Sequence, residues 1–596
     1  SDDYLRLFLI PIFTVFIFYL SGVYRSVLRF LDFSSIYLLI KSIVLSFVLI
    51  LIFKNLLLLS TLNQFTPYIV LDKSLVTLAG WSIGLLSSIV LIIGSRIFAN
   101  YYFSEASNGK KVAIYGAGDA GIQLAGALRV SSEMKPVAFI DRNPSLHGTF
   151  VGGLKVLNPV KLRSLVEREK VDEVLIAIPS ASKSILKELF EEIEKYKVKV
   201  RILPGLAELA QGKVMVSELK EVDTSDLLGR YEIEADSELL DRNIKDKIVL
   251  ITGAGGSIGS ELARQVIRND PKILVILDSN EYSLYSIKNE LDLYMDRVNI
   301  FPVIANVTNQ ERISEILKVF GVETIYHTAA YKHVPLVEEN PFEGVNNNIF
   351  GTLSCMRSAL ENEVETFVLI STDKAVRPTN IMGATKRFSE MILQAYSVDK
   401  KVNSKTRMTM VRFGNVLGSS GSAIPLFQQQ IQQGGPVTVT HKDVTRYFMS
   451  IPEAAELVIQ AGAMGKGGDV FVLDMGEPVK IYDLAKRLIN LSGMEVKEES
   501  NPEGDIEIIF TGLRPGEKLY EELLIGGNVS STEHEQILRA EEEFLEAKEL
   551  EVHLNSLSEA EKNGDVVALR NILKTVVSGY TPEDEIVDIV YLQRDN

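Results

Sequence analysis

Three residues whose side chains can move protons or bind a hydroxyl group stand together in the stretch "STDKAVRPTNIMGATKR": Thr372, Asp373 and Lys374. They follow the apolar run "FVLI", which predicts a short buried strand that ends at this point. Open α/β sheets bind their ligands at the carboxyl ends of the strands, so the position is suited to chemistry. An adjacent acid and base can tune each other's pKa, and the pair has the groups for general acid and base catalysis.

Another cation, Lys386, follows in the same stretch, and Met382 lies one helical turn before it. Lys386 can bring positive charge and hydrogen-bond donors to the site, whereas a thioether has no titratable proton. Proton transfer at position 382 is therefore excluded, and Asp373 and Lys374 are the candidates for it. The alternative interpretation is a solvated ion pair for Asp373 and Lys374 and an exposed helical lysine for Lys386.

A glycine-rich turn precedes these residues in "DKIVLITGAGGSIGSELARQVI". A strand is predicted over 248–252, then a TGxxGxxG spacing that starts at Thr252, then a helix that begins near Ser257. Such a turn lets the backbone approach a phosphate at a helix N-terminus. Asp278 ends the next apolar run, where a carboxylate would bind the adenosine ribose and favour NAD over NADP.

Two other segments complete the predicted dinucleotide site. Ala329 and Ala330 follow the strand that ends at His327, and their small side chains leave room for a cofactor. In dinucleotide-binding folds of this type an Asp usually faces adenine, and Asn306 stands at that position. Asn can still accept a hydrogen bond, so we expect Asn306 to alter the affinity for the cofactor without abolishing its binding. The predicted cofactor contacts are Gly253, Gly256, Ser257, Ile258, Gly259, Asp278, Asn306, Ala329, Ala330 and Lys386.

An earlier glycine loop lies in "KKVAIYGAGDAGIQLAGAL", with a GxGxxG spacing that starts at Gly116. A strand precedes it, a helix follows it, and Asp141 ends the next strand, "VAFID". Alternating strands and helices continue to about Pro204, which predicts a complete doubly wound unit. No catalytic set accompanies this loop. Two interpretations stay open, a nucleotide-binding regulatory domain and a spacer domain with a vestigial loop.

The first hundred residues are dense in Leu, Ile, Phe and Val. Three apolar runs, at about 4–24, 34–53 and 73–98, are near the roughly 20 residues that cross a bilayer, so we predict three transmembrane helices. Basic residues at 25–29 and 96–111 place the following domains on the cytoplasmic side of the inner membrane. The alternative is a buried helical core of a soluble protein. Because the chain begins at Ser1 without a Met, we also expect that an upstream segment can precede it.

Composition limits the remaining classes. A length of 596 residues predicts roughly three or four domains. The net charge of −16 argues against nucleic acid as a partner. A single cysteine, Cys355, excludes a disulfide framework, and the six histidines show no metal-ligand spacing, so we predict no metal.

Taken together, the motifs resemble the extended short-chain dehydrogenase/reductases that are membrane-bound nucleotide-sugar 4,6-dehydratases, in their long form of polysaccharide and glycan biosynthesis. The resemblance covers nearly the whole chain. In that long form, Met replaces the tyrosine of the Tyr-x-x-x-Lys pair, as Met382 does here. The motifs that carry the resemblance are "TGAGGSIGSEL", "AAYKHVPL", "STDKAVRPTNIMGATKR", "RFGNVLGSSGSAIPLF", "TRYFMSIPEAAELV" and "TGLRPGEKLYEELL".

The resemblance implies UDP-N-acetylglucosamine as substrate and a bound, recycled NAD. Hydride leaves sugar C4 for NAD, the ketone acidifies the C5 proton, water leaves from C6, and the hydride returns to C6. Asp373 is then the general acid at the C6 hydroxyl and Lys374 the base at C5. Thr372 orients the C4 hydroxyl, and either Asp373 or a water chain takes the proton of that hydroxyl. Met382 occupies the tyrosine position, and Lys386 binds the nicotinamide ribose.

The C-terminal third of the catalytic domain is expected to bind the rest of the substrate. Asn415 and two arginines, which can contact phosphate in bidentate fashion, are assigned to the diphosphate, and Glu517 to the uridine ribose. Residues 332 and 333 contact the substrate or pack a lid loop. The predicted substrate contacts are Lys332, His333, Asn415, Arg446, Arg514 and Glu517.

The predicted fold class is α/β, with N-terminal transmembrane helices followed by two Rossmann-like doubly wound parallel sheets. The boundaries are 1–107 for the membrane region, 108–209 for the first Rossmann-like domain, 210–246 for a linker, 247–530 for the catalytic domain and 531–596 for a C-terminal extension of surface helices. We expect a homo-oligomer associated with the bilayer. The alternatives are a UDP-sugar 4-epimerase, which generally relies on Tyr-x-x-x-Lys, and a non-catalytic membrane scaffold that binds a nucleotide.

Overall fold

The computed structural model describes residues 2–23, 33–61, 74–105, 109–130, 133–204, 219–222, 235–294, 297–399, 405–419, 421–522, 529–582 and 585–594. The chain forms two compact units, one of Ser1–Lys111 with Gly126–Pro136 and one of the remaining residues. Arg25, Arg29 and most of the predicted linker lie outside the described residues.

The N-terminal unit contains three apolar helices, Asp2–Leu20, Phe33–Thr61 and Ser74–Glu105. Their side chains form a small core in which Phe18, Leu39 and Ile43 are buried. In the second helix, Ser42 Oγ and Ser46 Oγ donate to backbone carbonyls one turn earlier, each at 2.8 Å. The apolar runs of the sequence therefore form helices.

Within the described residues, the segment Gly80–Phe98 is long and apolar enough to cross a membrane, and none of it is buried inside the protein. The apolar helical stretches Pro11–Leu20 and Ile36–Ile52 are shorter. Length and composition thus support one membrane span, and the other two spans of the sequence analysis stay predictions.

The first Rossmann-like domain is built on a seven-stranded sheet, with helices between its strands. Its edge strands at both ends are antiparallel to their neighbours. In spatial order the strands are Phe150–Val151, Leu154–Leu157, Met134–Ile140, Lys110–Tyr115, Glu173–Ile176, Lys199–Ile202 and Lys220–Glu221. The helices are Asp119–Val130, Leu162–Arg168 and Lys183–Ile193, with short 3-10 turns at Pro144–Leu146, Pro159–Lys161 and Glu194–Tyr196.

The catalytic domain has a nine-stranded sheet whose first seven strands are parallel. In spatial order they are Asn299–Ile304, Ile273–Asp278, Ile248–Thr252, Thr324–His327, Thr366–Ile370, Arg407–Arg412, Asp469–Leu473, Ile537–Ala540 and Val529–Ser531. The strand order reverses between Ile248–Thr252 and Thr324–His327, and such a switch point opens the crevice in which doubly wound sheets bind ligands.

The sheet is covered by helices on both faces, and the buried side chains of the two faces form separate apolar clusters. The helices of this part are Ser237–Arg242, Ser257–Arg268, Glu281–Leu291, Gln310–Phe320, Val334–Glu339, Pro341–Val345, Gly351–Glu361, Ile381–Val398 and Ile451–Met464. A 3-10 turn spans Asp292–Tyr294, and one π-helical turn spans Asn346–Phe350.

Short sheets and helices after residue 412 form the predicted substrate-binding part. Strands Thr445–Arg446 and Val479–Lys480 pair in antiparallel fashion. The other small strands are Asn415–Val416 with Phe448–Met449, and Val437–Val439 with Ile506–Phe510 and Val496–Lys497. The helices are Ala423–Gln432 and Ile481–Leu491.

The C-terminal segment differs from the predicted extension of surface helices. The strand Ile537–Ala540 pairs with Asp469–Leu473 in the catalytic sheet, and the predicted boundary at 530 falls inside the strand Val529–Ser531. The helices Ala547–Asn563, Val566–Val576 and Ile589–Arg594 follow. Leucines of the first two are buried in the catalytic core: Leu550, Leu554, Leu557, Leu569 and Leu573. The high charge of this segment concealed a leucine repeat at helical spacing.

Candidate active site

The glycine turn at the switch point accepts no larger residue. Gly253 has a φ of +67°, and a Cβ atom there would lie 2.7 Å from the backbone nitrogen of Ala329. A Cβ atom on Gly259 would lie 2.1 Å from the carbonyl oxygen of Gly253. The helix Ser257–Arg268 begins directly after this turn, as predicted from the sequence. The backbone is therefore open to a phosphate at the helix N-terminus.

Asp278 is held at the end of its strand by backbone amides. Its Oδ2 accepts a hydrogen bond from the Gly255 nitrogen at 2.9 Å, and its Oδ1 accepts from the Asn280 nitrogen at 2.8 Å. Asn306, after the neighbouring strand, is exposed, and its Oδ1 accepts from Thr308. The two predicted contacts to the adenosine end thus lie on adjacent strands.

Lys386 is 5% exposed in the middle of the buried face of the helix Ile381–Val398. Burial lowers its pKa to about 8, against a smaller opposing effect of Glu390. Within the described residues its amine has no hydrogen-bond or ion-pair partner. A buried amine without a partner is suited to a polar ligand such as a ribose hydroxyl. Together with the glycine turn and the partly exposed Ala329 and Ala330, it fits an NAD-type dinucleotide.

His327, at the end of the strand next to the switch point, was not singled out in the sequence. It is fully buried, and its Nδ1 lies 2.8 Å from Thr252 Oγ1 and its Nε2 3.1 Å from Thr352 Oγ1. Burial, with a smaller effect of Lys386, lowers its pKa to about 3, so the imidazole is neutral. His327 thus joins the strand that contains Thr252 to the helix that contains Thr352, next to the site.

The predicted acid and base lie together at the end of the strand Thr366–Ile370. Asp373 is 1% exposed, and its Oδ1 accepts hydrogen bonds from Thr372 Oγ1 at 2.9 Å and from Lys374 Nζ at 3.0 Å. Its Oδ2 is buried and has no partner in the described part of the chain. A Cβ atom on Gly414 would lie 3.2 Å from that oxygen, so glycine leaves space beside it. A buried carboxylate oxygen without a donor is available to a substrate hydroxyl.

Lys374 is surrounded by acceptors. Its Nζ donates to Asp373 Oδ1 and, at 3.1 Å, to Asn415 Oδ1, and it lies 3.6 Å from Glu521 Oε1. Burial alone would lower the pKa of Lys374, but the carboxylates of Asp373 and Glu521 raise it above its ordinary value. Lys374 is therefore an ammonium ion in this state, and it can act as a base only after a proton leaves it.

Met382 belongs to the apolar core. Its side chain is 3% exposed and lies in the same cluster as Ile381, Ala384 and Phe388. The helix start is fixed by Asn380, whose Oδ1 accepts from the Gly383 nitrogen at 2.7 Å. Met382 thus contributes packing at the position of the expected tyrosine.

Of the two predicted phosphate-binding arginines, Arg446 is paired within the protein. Its Nη2 lies 2.9 Å from Glu517 Oε1, and its Nη1 donates to the carbonyl of Thr445 at 2.7 Å. Arg514 is exposed; its backbone nitrogen donates to Glu517 Oε2 at 3.3 Å, and no partner of its guanidinium is found among the residues described. The structure thus leaves Arg514 open to an anion, whereas Arg446 fixes Glu517.

Lys332 and His333 lie in an exposed loop near the acid–base pair. Partial desolvation and the cation Lys374 lower the pKa of Lys332, and the pKa of His333 is lowered by desolvation and by Lys332. A Cβ atom on Gly421 would lie 2.3 Å from His333 Cε1, so the loop also packs on the substrate-binding part. Both predicted roles, substrate contact and loop packing, are consistent with this position.

Two polar residues of the site were missed in the sequence. Asn348 is buried and exchanges hydrogen bonds with both backbone groups of Tyr331, while its Nδ2 also donates to Thr385 Oγ1 at 3.0 Å. It therefore fixes the loop before Lys332 to the helix of Lys386. The other residue that was missed is Glu521, whose carboxylate lies 3.6 Å from Lys374 Nζ. The signal for Asn348 was the "NNN" run that interrupts an otherwise helical pattern.

Comparison with known proteins places these features in a family. Residues 249–542 match the family described as polysaccharide biosynthesis protein, and residues 19–204 match one described as CoA-binding domain. The capsular polysaccharide biosynthesis protein CapD of Staphylococcus aureus is 48% identical over 445 residues, which cover 73% of this chain and 73% of that protein.

Two other similarities each cover about half of this chain. A UDP-glucose 4-epimerase of Rickettsia canadensis is 34% identical over 292 residues, 48% of this chain and 80% of that protein. A dTDP-glucose 4,6-dehydratase structure from Streptomyces venezuelae is 20% identical, with a TM-score of 0.40 over 46% of this chain and 87% of that chain. By its match over most of its length to a capsular polysaccharide protein, the chain belongs to the polysaccharide biosynthesis protein family.

Proposed function

We propose that the protein is an NAD-dependent nucleotide-sugar 4,6-dehydratase that acts on UDP-N-acetylglucosamine. The observation that carries the proposal is the hydrogen-bonded pair of the buried Asp373 and the partly exposed Lys374 at the carboxyl end of a strand, with one carboxylate oxygen that has no hydrogen-bond partner among the described residues. Met382, which stands where a tyrosine is expected, is packed in the core. The proton-transferring groups are thus an acid and a base, as an elimination requires.

The cofactor is NAD, held by the glycine turn, Asp278 and Lys386. When bound, NAD supplies a hydride acceptor for sugar C4 and returns the hydride to C6, with no net oxidation. Lys386 binds the nicotinamide ribose, and Ala329 and Ala330 leave room for the ring. The buried, neutral His327 keeps the strand next to the switch point in place.

The acid–base pair can exchange its proton internally. In the resting state Lys374 is an ammonium and donates to Asp373 Oδ1 at 3.0 Å. Transfer of that proton along the hydrogen bond gives a neutral amine and a carboxylic acid. The amine then removes the C5 proton, and Asp373 gives its proton to the departing C6 hydroxyl. Thr372, which donates to the same carboxylate, is released to orient the C4 hydroxyl. The proton of that hydroxyl leaves through a chain of water molecules when C4 is oxidised. Lys374 gives a proton back to C5 as the hydride returns to C6, and the proton released from C4 restores its ammonium form.

The second candidate is a nucleotide-sugar 4-epimerase, because a relative that is 34% identical over 292 residues carries that activity in its name. Epimerisation needs the same oxidation at C4 but no acid at C6. The buried Asp373 and Lys374 therefore favour the dehydratase. A non-catalytic scaffold would need neither group.

The N-terminal helices are proposed to anchor the enzyme in the inner membrane with three spans and its catalytic domain in the cytoplasm. The apolar segment Gly80–Phe98 and the two shorter apolar helices support this arrangement. Such an anchor would deliver a sugar nucleotide to membrane-bound transferases. If a protein cut before Asn108 supported the same glycan output in cells, this role of the anchor would be wrong.

The test is to incubate detergent-purified protein with UDP-N-acetylglucosamine in deuterated water and to analyse the sugar nucleotide by NMR and mass spectrometry. A 4-keto-6-deoxy product with deuterium at C5 is expected. A C4 epimer without deuterium at C5 would instead identify the epimerase. An unchanged sugar nucleotide with NAD bound would exclude both activities on this substrate.

A further inference from the structure

Glu521 lies in the last part of the motif "TGLRPGEKLYEELL", and no role follows from the sequence for it. In the structure the residue is 7% exposed, and its carboxylate faces two cations. Its Oε1 lies 3.6 Å from Lys374 Nζ and 3.8 Å from Arg446 Nε. Its Oε2 is buried without a hydrogen-bond partner in the described part of the protein.

We propose that Glu521 is a positioning residue for the base Lys374, which it holds between the strand end and the substrate-binding part and whose protonated form it stabilises. This inference rests on the proposed function and adds to it a residue that acts through Lys374. A carboxylate this deeply buried destabilises a protein unless a cation or a hydrogen-bond donor compensates for it. Lys374 and Arg446 are the cations in contact with it.

The arrangement explains how a lysine beside an acid can be a base. When the proton shared by the pair resides on Asp373, that side chain is neutral and no longer stabilises an ammonium. Glu521 is then the carboxylate that still attracts a proton to Lys374. Removal of the C5 proton by the amine is therefore favoured by a charge that stays fixed through the step.

Glu521 also joins two parts of the site that are far apart in the chain. Arg446 pairs with both Glu521 and Glu517, the residue assigned to the uridine ribose. A run of alternating charges thus extends from Asp373 through Lys374, Glu521 and Arg446 to Glu517. Binding of the nucleotide end can thereby fix the position of the base at the sugar end.

The first test measures the pKa of Lys374 without turnover. Competitive acetylation of the NAD-loaded protein across a pH range, read by mass spectrometry, reports the pKa of each lysine that the reagent reaches, and the Lys374 side chain is 18% exposed. Glu521→Gln should lower the pKa of Lys374, because it removes one of the two carboxylates that raise it. Glu522→Gln is the matched control, since its side chain is 41% exposed and pairs with Arg377 and Lys518. An unchanged Lys374 pKa in Glu521→Gln would overturn the inference.

The second test follows deuterium incorporation at C5 against pH. We expect Glu521→Gln to reduce its rate at least tenfold, with the pH profile shifted to lower pH, and Glu521→Asp to recover part of the loss. A tenfold loss in Glu521→Gln with an unshifted profile would indicate a purely structural role and would also contradict the inference. Failure of the wild-type protein to incorporate deuterium would contradict the proposed dehydratase, while the acetylation result would still decide the role of Glu521.

Discussion

Ser371 Oγ donates a 2.6 Å hydrogen bond to Oε1 of Glu390, and this bond ties the strand end of the active site to the helix that carries Lys386. Glu390 also accepts from Arg412 through Nε at 2.8 Å and Nη2 at 2.6 Å, and from Arg387 at 3.0 Å. The side chains of Glu390 and Arg412 are fully buried. A buried ion cluster is thus hydrogen-bonded to Ser371, two residues before Asp373.

Glu390→Gln should destabilise the catalytic domain strongly. It removes one of the two carboxylates, those of Glu390 and Glu542, that the buried guanidinium groups of Arg387 and Arg412 share. Breaking a buried ion pair in this way costs up to about 3–5 kcal/mol. Denaturant unfolding of the two proteins, monitored by fluorescence, measures the difference. Glu477→Gln is the control, because Glu477 is exposed and should change stability by less than about 0.5 kcal/mol. Equal stability of the two variants would mean that the cluster contributes little.

The lowered pKa of Glu390 also predicts how the stability of the protein changes with pH. Burial alone would raise the pKa of Glu390, but Arg412, with Arg387 and Ser371, lowers it to about 2. The unfolded chain therefore takes up this proton at higher pH than the folded one. We expect the contribution of Glu390 to be complete above its ordinary pKa of 4.5 and to fall as pH decreases from there towards 2. The stability difference between wild type and Glu390→Gln should shrink over that range, and a constant difference would contradict it.

Asp373→Asn should separate the oxidation step from the elimination. The amide keeps the shape of the side chain but cannot protonate the C6 hydroxyl, and loss of a general acid reduces a rate by about 10²–10⁴-fold. We expect NADH to accumulate after UDP-N-acetylglucosamine is added, because C4 is oxidised while water loss is slow. NADH fluorescence in a single turnover and product analysis measure the two steps. Full dehydratase turnover in Asp373→Asn would show that another group is the acid.

The lowered pKa of Lys386 predicts an upper pH limit for hydride transfer. Its pKa is lowered by burial to about 8 from the ordinary 10.5, so it loses its charge as pH rises through about 8. A cation beside the positively charged nicotinamide favours its conversion to neutral NADH. The rate of C4 oxidation should therefore fall above about pH 8, and Lys386→Met should be at least tenfold slower and lack this pH limb. Lys466→Met, a change at an exposed lysine, should keep the wild-type profile. A profile that Lys386→Met leaves unaltered would contradict the assignment.

The sequence was informative where local pattern and chemistry coincide. The strand Ile248–Thr252 and the helix start at Ser257 follow from the glycine spacing, because only a tight strand–helix turn satisfies it. Likewise, "STDK" after an apolar run predicted acidic and basic groups at a strand end, and the structure places them there. Each of these two signals is contained within a few consecutive residues of the chain.

Contacts between distant segments could not be predicted in this way. Glu521 and Lys374 meet across 147 positions of the chain only because the substrate-binding part folds back on the sheet. The sequence predicts a surface extension where the strand Ile537–Ala540 lies, since its antiparallel pairing is a tertiary contact without a local signature. Arg446 was assigned to phosphate from its type, but its partners Glu517 and Glu521 are residues that no spacing rule connects to it.

The first Rossmann-like domain contacts the substrate-binding part. Side chains of both share one apolar cluster, and Arg487 in the helix Ile481–Leu491 lies 3.0 Å from Glu194. That helix directly follows the strand Val479–Lys480, which pairs with the strand that contains Arg446. The first domain therefore supports the element that positions a predicted substrate contact.

Gly493→Ala tests this support, because Gly493 has a φ of +79° and a Cβ atom there would lie 2.9 Å from the backbone nitrogen of Lys199. Gly321→Ala is the matched control, since Gly321 has a φ of +68° and an added Cβ would meet no atom within 4 Å. Both variants bear the strain of a left-handed alanine, but only Gly493→Ala must also separate the two parts, at about 1–3 kcal/mol more. We expect it to have the lower Tm and a raised KM for the nucleotide sugar with kcat nearly unchanged. Equal Tm and KM values in the two variants would show that the first domain does not support the substrate-binding part.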